Sequence, residues 1–279
     1  MIKTCVCMIL NYNDAKTVKE LVKKINRFPV FSHILIVDNC STDGSYEELQ
    51  SLSTKKIIVI QTDKNGGYGY GNNFGTQYIT KYLNAKYTLL SNPDVVFSND
   101  LITRFIISME KNDQLALVSA VQLDVDNHPI KDLAWRVPTS FECAILHSAK
   151  LSKFFQTNYK LDLSESEQYV DCVPGALLMY NTEKFLEVGG YDEEMFLFCE
   201  ETTLGFKLKN KGYKSLLILD ETYRHEHSVS INKSIQQKSK QLEILFQSRI
   251  LFMKKYLRAS GFMIGLTKFF QNRSLKKLQ

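Results

Sequence analysis

Over its first 121 residues the chain alternates short apolar runs, rich in β-branched side chains, with longer amphipathic stretches. The runs predict strands and the stretches predict helices. Strands are expected at residues 4–10, 34–37, 56–60, 87–90 and 115–121. Helices are expected at about 15–27 and 100–111, and two further helices are expected to end at about residues 52 and 83. Such alternation predicts an α/β fold with a mostly parallel central sheet and helices on both faces.

The pattern weakens after residue 121, and the rest of the chain is predicted in less detail. Residues 131–168 lack clear strands, and one helix is expected there, near 141–155. A stretch of this kind predicts a lid or binding loop. Strand pieces at 170–180, helices at 182–187 and 200–211, a strand at 213–219 and a long helix at 233–257 are expected to follow. We divide the chain into a domain at 1–230, with halves 1–122 and 123–230, and a helical C-terminal extension at 231–279.

Polar clusters stand directly after four predicted strands, at residues 11–13, 38–39, 65–71 and 92–94. Ligands of open parallel sheets bind beyond the carboxyl ends of the strands. The sequence therefore predicts one binding edge formed by all four clusters.

Two of these clusters favour a nucleotide ligand. Asp38 follows four apolar residues, and a carboxylate there can accept hydrogen bonds from a ribose or a base. Behind it, Ser41 or Thr42 is expected to act as a helix N-cap. The loop 65–73 has a Gly-x-Gly spacing but neither the dinucleotide fingerprint nor the P-loop ending, so NAD and ATP are poorly supported. Its backbone amides could approach an anion, although a flexible turn would have the same sequence pattern.

Carboxylates and histidines supply candidates for chemistry. Asp94 lies between two apolar runs and could bind Mg²⁺ or Mn²⁺, although Asn-Pro-Asp is also a common turn. Glu200 and Glu201 follow an apolar run, where a carboxylate can have the raised pKa of a general base, but acids at a helix start are also routine. His225 and His227 would share a face of an extended segment, and one could join Asp94 around an ion or simply lie on the surface.

The C-terminal part is basic. Residues 244–279 hold eight Lys or Arg and no acid. Because the whole chain has a net charge of +5, the residues before 244 carry a net charge of −3. A basic amphipathic segment predicts docking to an anionic membrane surface. The same segment could instead pack on the body of the protein or form a homodimer interface. Nucleic acid is not expected as a partner, because the rest of the chain is acidic and lacks a known module. With no signal peptide, no membrane span and scattered cysteines, we expect a cytoplasmic protein at the inner face of the membrane.

Taken together, these segments resemble the family 2 glycosyltransferases of the GT-A fold, most closely the bacterial rhamnosyltransferase-like branch. The resemblance rests on residues 10–13, 37–45, 65–73, 92–94, 174–176 and 189–193 and on His225, in the family's order. It covers about residues 1–230. The resemblance implies a nucleotide-diphosphate sugar donor, dTDP- or UDP-linked, and inversion at the anomeric carbon. The acceptor would be a glycan or a lipid-linked glycan in the synthesis of cell-surface polysaccharide, with rhamnose or another hexose transferred.

The resemblance also implies residue roles. Nucleotide and donor binding would fall to Asn11, Tyr12, Asp38, Asn65, Gly67, Asn72, Asn92 and Asp94. Asp94, with His225 in some relatives, would hold a divalent metal, Mn²⁺ or Mg²⁺. Glu201 would be the catalytic base, with Glu200 as the alternative.

The chain departs from the family pattern at two of these positions. Asn92 replaces the first Asp of the Asp-x-Asp motif, and Glu201 stands where Asp is usual. A non-catalytic nucleotide- or glycan-binding protein derived from a transferase is therefore one alternative function. A sugar-phosphate nucleotidyltransferase is another.

Overall fold

A computed structural model describes residues 5–145, 156–162, 164–226 and 238–275. The strands are β1 (Cys5–Asn11), β2 (Phe31–Asp38), β3 (Ile57–Gln61), β4 (Tyr87–Ser91), β5 (Val95–Val96), β6 (Leu115–Leu123), β7 (Glu167–Val170), β8 (Leu177–Asn181) and β9 (Lys214–His225). The helices are α1 (Ala15–Ile25), α2 (Ser45–Gln50), α3 (Gly67–Tyr78), α4 (Asn99–Lys111), α5 (Ser140–Ile145), α6 (Thr182–Glu187), α7 (Glu200–Asn210), α8 (Lys238–Lys255) and α9 (Gly261–Leu275). A π-helical turn, Ile79–Leu83, continues α3.

One sheet joins all the strands in the order β3-β2-β1-β4-β8-β6-β9-β5, with β7 beside β9. β1 to β4 pair in parallel, as do β6 and β9, so the predicted mostly parallel sheet is confirmed. β8 runs antiparallel between β4 and β6, and β5 and β7 pair antiparallel with β9. The sequence did not predict β5, and it ended β9 at residue 219, six residues before His225.

Helices cover both faces of the sheet because the strands are apolar on both sides. β1 is buried from Cys5 to Ile9, and its side chains contribute alternately to two separate core clusters. α1 buries Val18, Leu21 and Ile25 at helical spacing and ends in exposed lysines, the pattern of an amphipathic helix on a sheet face. The predicted helices on both faces are therefore confirmed.

The stretch after β6 is mostly irregular, as expected. Trp135 pairs with Asn158 and Cys172 through isolated bridges, and an ion pair joins Arg136 to Glu142. The helix expected at 141–155 is described only as α5, and residues 146–155 lie outside the described residues.

The C-terminal helices pack against the body. Phe252 and Met253 of α8 and Ile264 of α9 share a buried cluster with Met195 and Cys143. The proposed boundary at residue 230 lies outside the described residues, as do 233–237 of the predicted long helix. Within the described ranges, none of the helices is both long enough and apolar enough to cross a membrane.

Asp192 anchors α8 to the loop that precedes α7. Its carboxylate receives hydrogen bonds from Tyr256 Oη at 2.6 Å and from Lys255 Nζ at 3.1 Å. Burial alone would raise the pKa of Asp192, but these hydrogen bonds outweigh burial and lower the pKa below its ordinary value. A carboxylate with a lowered pKa stabilises the fold above its unfolded pKa, and the contribution is lost as pH falls through the folded pKa.

We therefore expect Asp192→Asn to destabilise the protein at pH 7 by about 1–3 kcal/mol, the range for hydrogen bonds to charged groups. For a domain of this size the melting temperature should fall by about 2–4 °C per kcal/mol. The matched control is Glu194→Gln, because Glu194 contacts the same Lys255 but its side chain is 64% exposed. Equal melting temperatures for the two variants at pH 7 would contradict the anchoring role.

Candidate active site

The carboxyl ends of β1 and β2 form a corner around Asp38. Asp38 and Asn11 are both fully buried, and Asn11 Nδ2 donates to Asp38 Oδ2 over 2.8 Å. Ser41 donates to the carboxylate from its backbone N at 2.9 Å and from Oγ at 2.6 Å, and Gln61 Nε2 donates at 3.1 Å. Asp38 therefore orders the corner from within, and its predicted contact with a nucleoside stays a prediction.

Ser41 does not cap a helix, which corrects the N-cap prediction. α2 begins at Ser45 after Gly44, whose φ is 84°, and no side chain caps it. Ser41 Oγ instead binds Asp38 and accepts a hydrogen bond from Asn13 N at 2.9 Å. The turn after β2 is thereby tied to the loop after β1, and Tyr12 of that loop lines the cavity described below.

Asn39 is a cavity residue that the site prediction missed. Its Nδ2 donates to Asn65 Oδ1 and to Gly67 O, both at 3.0 Å. Gly67 has φ 89°, and a Cβ there would overlap Phe196 O, so the loop requires glycine at this position. Asn39 stood in a polar cluster after β2, and that position was the signal that could have found it. Asn72 is fully buried in α3.

A cavity of about 680 Å³ lies at this edge of the sheet. It brings together seven predicted site residues: Tyr12, Asn65, Gly67, Asn92, Glu200, Glu201 and His225. The other four, Asn11, Asp38, Asn72 and Asp94, are buried and do not line it. The rest of its lining is mainly apolar and includes Trp135, Cys143, Phe198 and, from α8, Leu245, Arg249 and Phe252. The cavity thus has a polar end at β1 and β2 and an apolar end at α8.

Asp94 and His225 meet because β5 pairs with the end of β9. Val95 lies opposite His225, and His225 Nε2 is 3.0 Å from Asp94 Oδ1. On the other side of the ring, His225 Nδ1 is 3.2 Å from Gln122 Nε2, and Tyr223 Oη donates to Gln122 Oε1 at 3.0 Å. The ring nitrogen that faces Asp94 is therefore Nε2, and Nδ1 faces the Gln122 amide.

The donor set of this pair fits a divalent ion. Mg²⁺ and Mn²⁺ bind through one or two protein ligands and complete their coordination with phosphate oxygens and water. Asp94 offers a carboxylate and His225 an imidazole, and both side chains are largely buried beside the cavity. Among the described residues no group of three or more His, Cys, Asp or Glu could hold a metal by itself. An ion here would therefore depend on the ligand's own oxygens. His227 lies outside the described residues.

Glu200 and Glu201 begin α7 after a turn of unusual backbone geometry. Phe198 and Cys199 have φ of 70° and 67°, which is rare for side chains of their size. The backbone of Gly175 hydrogen-bonds the Glu201 carboxylate, and a Cβ on Gly175 would overlap Glu201 Oε1. Tyr68 Oη in turn donates to Gly175 O at 3.0 Å. Tyr68 and Gly175, neither of which was a predicted site residue, thus connect the glycine-rich loop to Glu201.

The two carboxylates differ in environment. Burial, followed by the charge of Glu201, raises the pKa of Glu200 well above its ordinary value, and Glu200 Oε1 is buried without a partner. Burial also raises the pKa of Glu201, and hydrogen bonds from its own backbone and that of Gly175 lower it, as hydrogen bonds from the backbone of Glu200 and Phe198 do for Glu200. Glu200 differs in the charge of its neighbour and in its unpartnered oxygen. Two close acids with unequal surroundings divide the roles of proton holder and carboxylate. This difference favours a protonated Glu200 beside an ionised Glu201.

Known proteins are similar to this chain in sequence. The model of glycosyl transferase family 2 matches residues 6–179. The low-salt glycan biosynthesis hexosyltransferase Agl10 of Haloferax volcanii is 24% identical over 88% of the chain and 73% of its own length. Rhamnosyltransferase WbbL of Escherichia coli K12 is 23% identical over 74% of the chain and 77% of its own length. An N-acetylglucosaminyl-diphospho-decaprenol L-rhamnosyltransferase of Mycobacterium tuberculosis is 22% identical over 72% of the chain and 68% of its own length.

Solved structures share the fold. GalNAc-T7 with UDP, GalNAc and Mn²⁺ superposes with a TM-score of 0.63 at 12% identity over 96% of the chain, which spans 54% of that protein. The mannosyltransferase PcManGT of Pyrobaculum calidifontis, with GDP-Man and Mn²⁺, gives a TM-score of 0.62 at 12% identity, over 98% of the chain and 72% of that protein. At this identity the likeness establishes the GT-A fold, and the predicted fold class is confirmed.

Proposed function

The chain belongs to glycosyl transferase family 2 and is a glycosyltransferase, and on that premise we propose that it is an inverting enzyme of glycan synthesis. It moves rhamnose or another hexose from a dTDP- or UDP-linked donor to a glycan or lipid-linked glycan acceptor. The observation that carries the proposal is one cavity that joins the corner at β1 and β2 to the carboxylate pair of α7. The donor nucleotide would occupy the polar end, beside Tyr12 and Asn65, and the acceptor the apolar end.

The proposed reaction is a single displacement. Glu201 accepts the proton of an acceptor hydroxyl, whose oxygen attacks the anomeric carbon as the bond to the diphosphate oxygen breaks. A buried carboxylate with a raised pKa is suited to this transfer. Asp94 and His225 would hold a divalent ion, and such an ion would neutralise charge on the departing diphosphate. Glu200, protonated, adds no second negative charge beside the base.

A thermal-shift panel of dTDP- and UDP-sugars with Mn²⁺, Mg²⁺ or EDTA tests the donor, because a ligand that binds only the native state raises the melting temperature. We expect one nucleotide to stabilise the protein in a metal-dependent way. The matched sugar should then be consumed when an acceptor is added. Stabilisation without consumption would indicate a binding protein. Consumption of a nucleoside triphosphate instead would indicate a nucleotidyltransferase.

We further propose that α9 docks on an anionic membrane surface near the acceptor and that the enzyme is cytoplasmic and peripheral. Ile264 and Thr267 of α9 are buried against the body, whereas Phe262 and Phe269 are 73% and 54% exposed. Phe262 and Phe269 are seven residues apart and share one helix face. Lys268 and Arg273 are exposed, and Arg273 lies over the Phe269 ring, 5.8 Å from its centroid. Exposed aromatic side chains between cations are typical of interfacial helices.

Vesicle sedimentation with anionic and neutral lipids tests this surface. We expect the double substitution Phe262→Ser and Phe269→Ser to lower binding to anionic vesicles at least about tenfold, since each ring contributes apolar burial of about 1.5–3 kcal/mol when fully inserted. Ile107→Ser is the matched control, because Ile107 is 45% exposed on α4. Unchanged vesicle binding, together with a dimer that the double variant dissociates, would show that α9 serves the homodimer predicted as the alternative.

A further inference from the structure

The loop that precedes the carboxylate pair needs outside support. It runs from Met195 to Cys199, and its last two residues have φ of 70° and 67° directly before Glu200. Non-glycine residues in the left-handed region each cost about 1–3 kcal/mol and persist only where the surroundings hold them. The contacts of this loop therefore determine where Glu200 and Glu201 point.

One contact comes from the donor side. Tyr68 N donates to Phe196 O at 3.0 Å. Gly67, whose φ is positive, brings its backbone against the same carbonyl so closely that a Cβ would overlap it. The glycine-rich loop thus fixes the middle of the Met195–Cys199 loop.

A second contact comes from the C-terminal extension. Ser248 of α8 is 4% exposed, and its Oγ donates to Leu197 O at 2.7 Å, across 51 residues of sequence. Phe252, one turn further along α8, packs in the same cluster as Met195. Leu197 is adjacent to Phe198, so this hydrogen bond acts next to the first strained residue. Ser248 does not line the cavity and is not placed to touch a substrate there.

We propose that Ser248 is a positioning residue for the Glu200–Glu201 pair, so that α8 is part of the active site and not an appendage to it. This inference rests on the proposed function, in which Glu201 is the base. Without its hydroxyl the Leu197 carbonyl loses a buried partner, and the strained turn relaxes. The base then moves relative to the acceptor hydroxyl, whereas the corner around Asp38 is held by its own hydrogen bonds.

Ser248→Ala and Ser248→Thr test the proposal, with Gln247→Ala as the control from the exposed adjacent position. We expect Ser248→Ala to lower kcat about tenfold with the donor KM within about twofold of wild type, because small displacements of reacting groups are costly. The acid limb of the kcat/KM profile should shift as well. Ser248→Thr should restore both, and Gln247→Ala should change neither.

Hydrogen exchange gives a readout that does not depend on turnover. Amides of residues 195–204 should exchange faster in Ser248→Ala, while those of residues 38–45 should match wild type. The positioning role is overturned if Ser248→Ala matches wild type in kcat, in the acid limb and in the exchange of the loop. It is also overturned if the donor KM of Ser248→Ala rises in parallel with the loss of kcat. If the wild-type protein consumes no donor, but the loop of Ser248→Ala exchanges faster than that of wild type, the proposed function is overturned and the loop contact is established.

Discussion

Glu201→Gln is expected to lower kcat by about 10²–10⁴-fold, the range that general-base catalysis contributes, while the donor still binds as in wild type. Glutamine keeps the size of the side chain and can still accept the hydrogen bond from the Gly175 backbone, but it cannot take a proton. Steady-state kinetics with a thermal shift by the donor separates the two effects. Loss of donor binding along with turnover would contradict the role of base.

Glu200→Gln is the matched comparison. The structure favours a protonated Glu200, because Glu200 Oε1 is buried without a partner and the charge of Glu201 adds to the effect of burial on its pKa. An uncharged amide then replaces an already neutral acid, so kcat should fall much less than in Glu201→Gln. The reverse order of the two variants would identify Glu200 as the base.

The pH profile follows from the same pair. A general base works only when it is ionised, so kcat/KM should rise with pH through the pKa of Glu201 and level off above it. Because burial raises that pKa, the acid limb should lie above the ordinary range of a glutamate. Because Glu200 is already neutral, Glu200→Gln should leave the acid limb close to that of wild type, since burial raises the pKa of Glu201 in both proteins.

The first half of the fold could be predicted because its signals are local. β1 to β4 are short apolar runs between amphipathic helices. β1–β2 and β2–β3 pair between neighbours in that alternation, and β4 returns to pair with β1. β5 has two residues, and β7 is four residues long and mostly not buried, so neither gives a periodic signal. β9 is irregular where the partner of β6 changes from Ile218, opposite Ala120, to Thr222, opposite Val121. The extra residues, which include Asp220 and Glu221, interrupt the apolar run and hide the continuation of the strand to His225.

In the site, too, local features could be predicted and contacts between distant segments could not. Residues that follow a strand, such as Tyr12 and Asn65, were predicted from position, and the structure places them on one cavity. The supporting contacts were not predicted, because each joins segments far apart in sequence. Tyr68 and Gly175 are separated by 107 residues, and Leu197 and Ser248 by 51. Tyrosine, glycine and serine at such positions carry no pattern until the chain is folded.

Asp94→Ala is expected to abolish the divalent-dependent part of turnover, with a loss of at least about 10²-fold, comparable to the removal of one group that stabilises developing charge. It should also remove the metal-dependent part of the donor's thermal shift, a readout that needs no chemistry. The exposed carboxylate of Asp126 supplies the charge-matched control, Asp126→Ala, which should leave both unchanged. Full metal-dependent stabilisation of Asp94→Ala would exclude Asp94 as a ligand.

His225→Ala separates a ligand from a neighbour of a ligand. If His225 binds the ion, its loss should raise the Mn²⁺ concentration required for half-maximal turnover by more than the about 100-fold that an outer-shell partner can cost, and excess Mn²⁺ should restore the rate. Asp94→Ala should not recover, because it removes the anionic ligand and its charge. Since His225 also hydrogen-bonds Asp94 and Gln122, a purely orienting role predicts a smaller rise, of about 10–100-fold, in the Mn²⁺ requirement. The Mn²⁺ titration of the two variants therefore decides whether the ion is held by one side chain or by two.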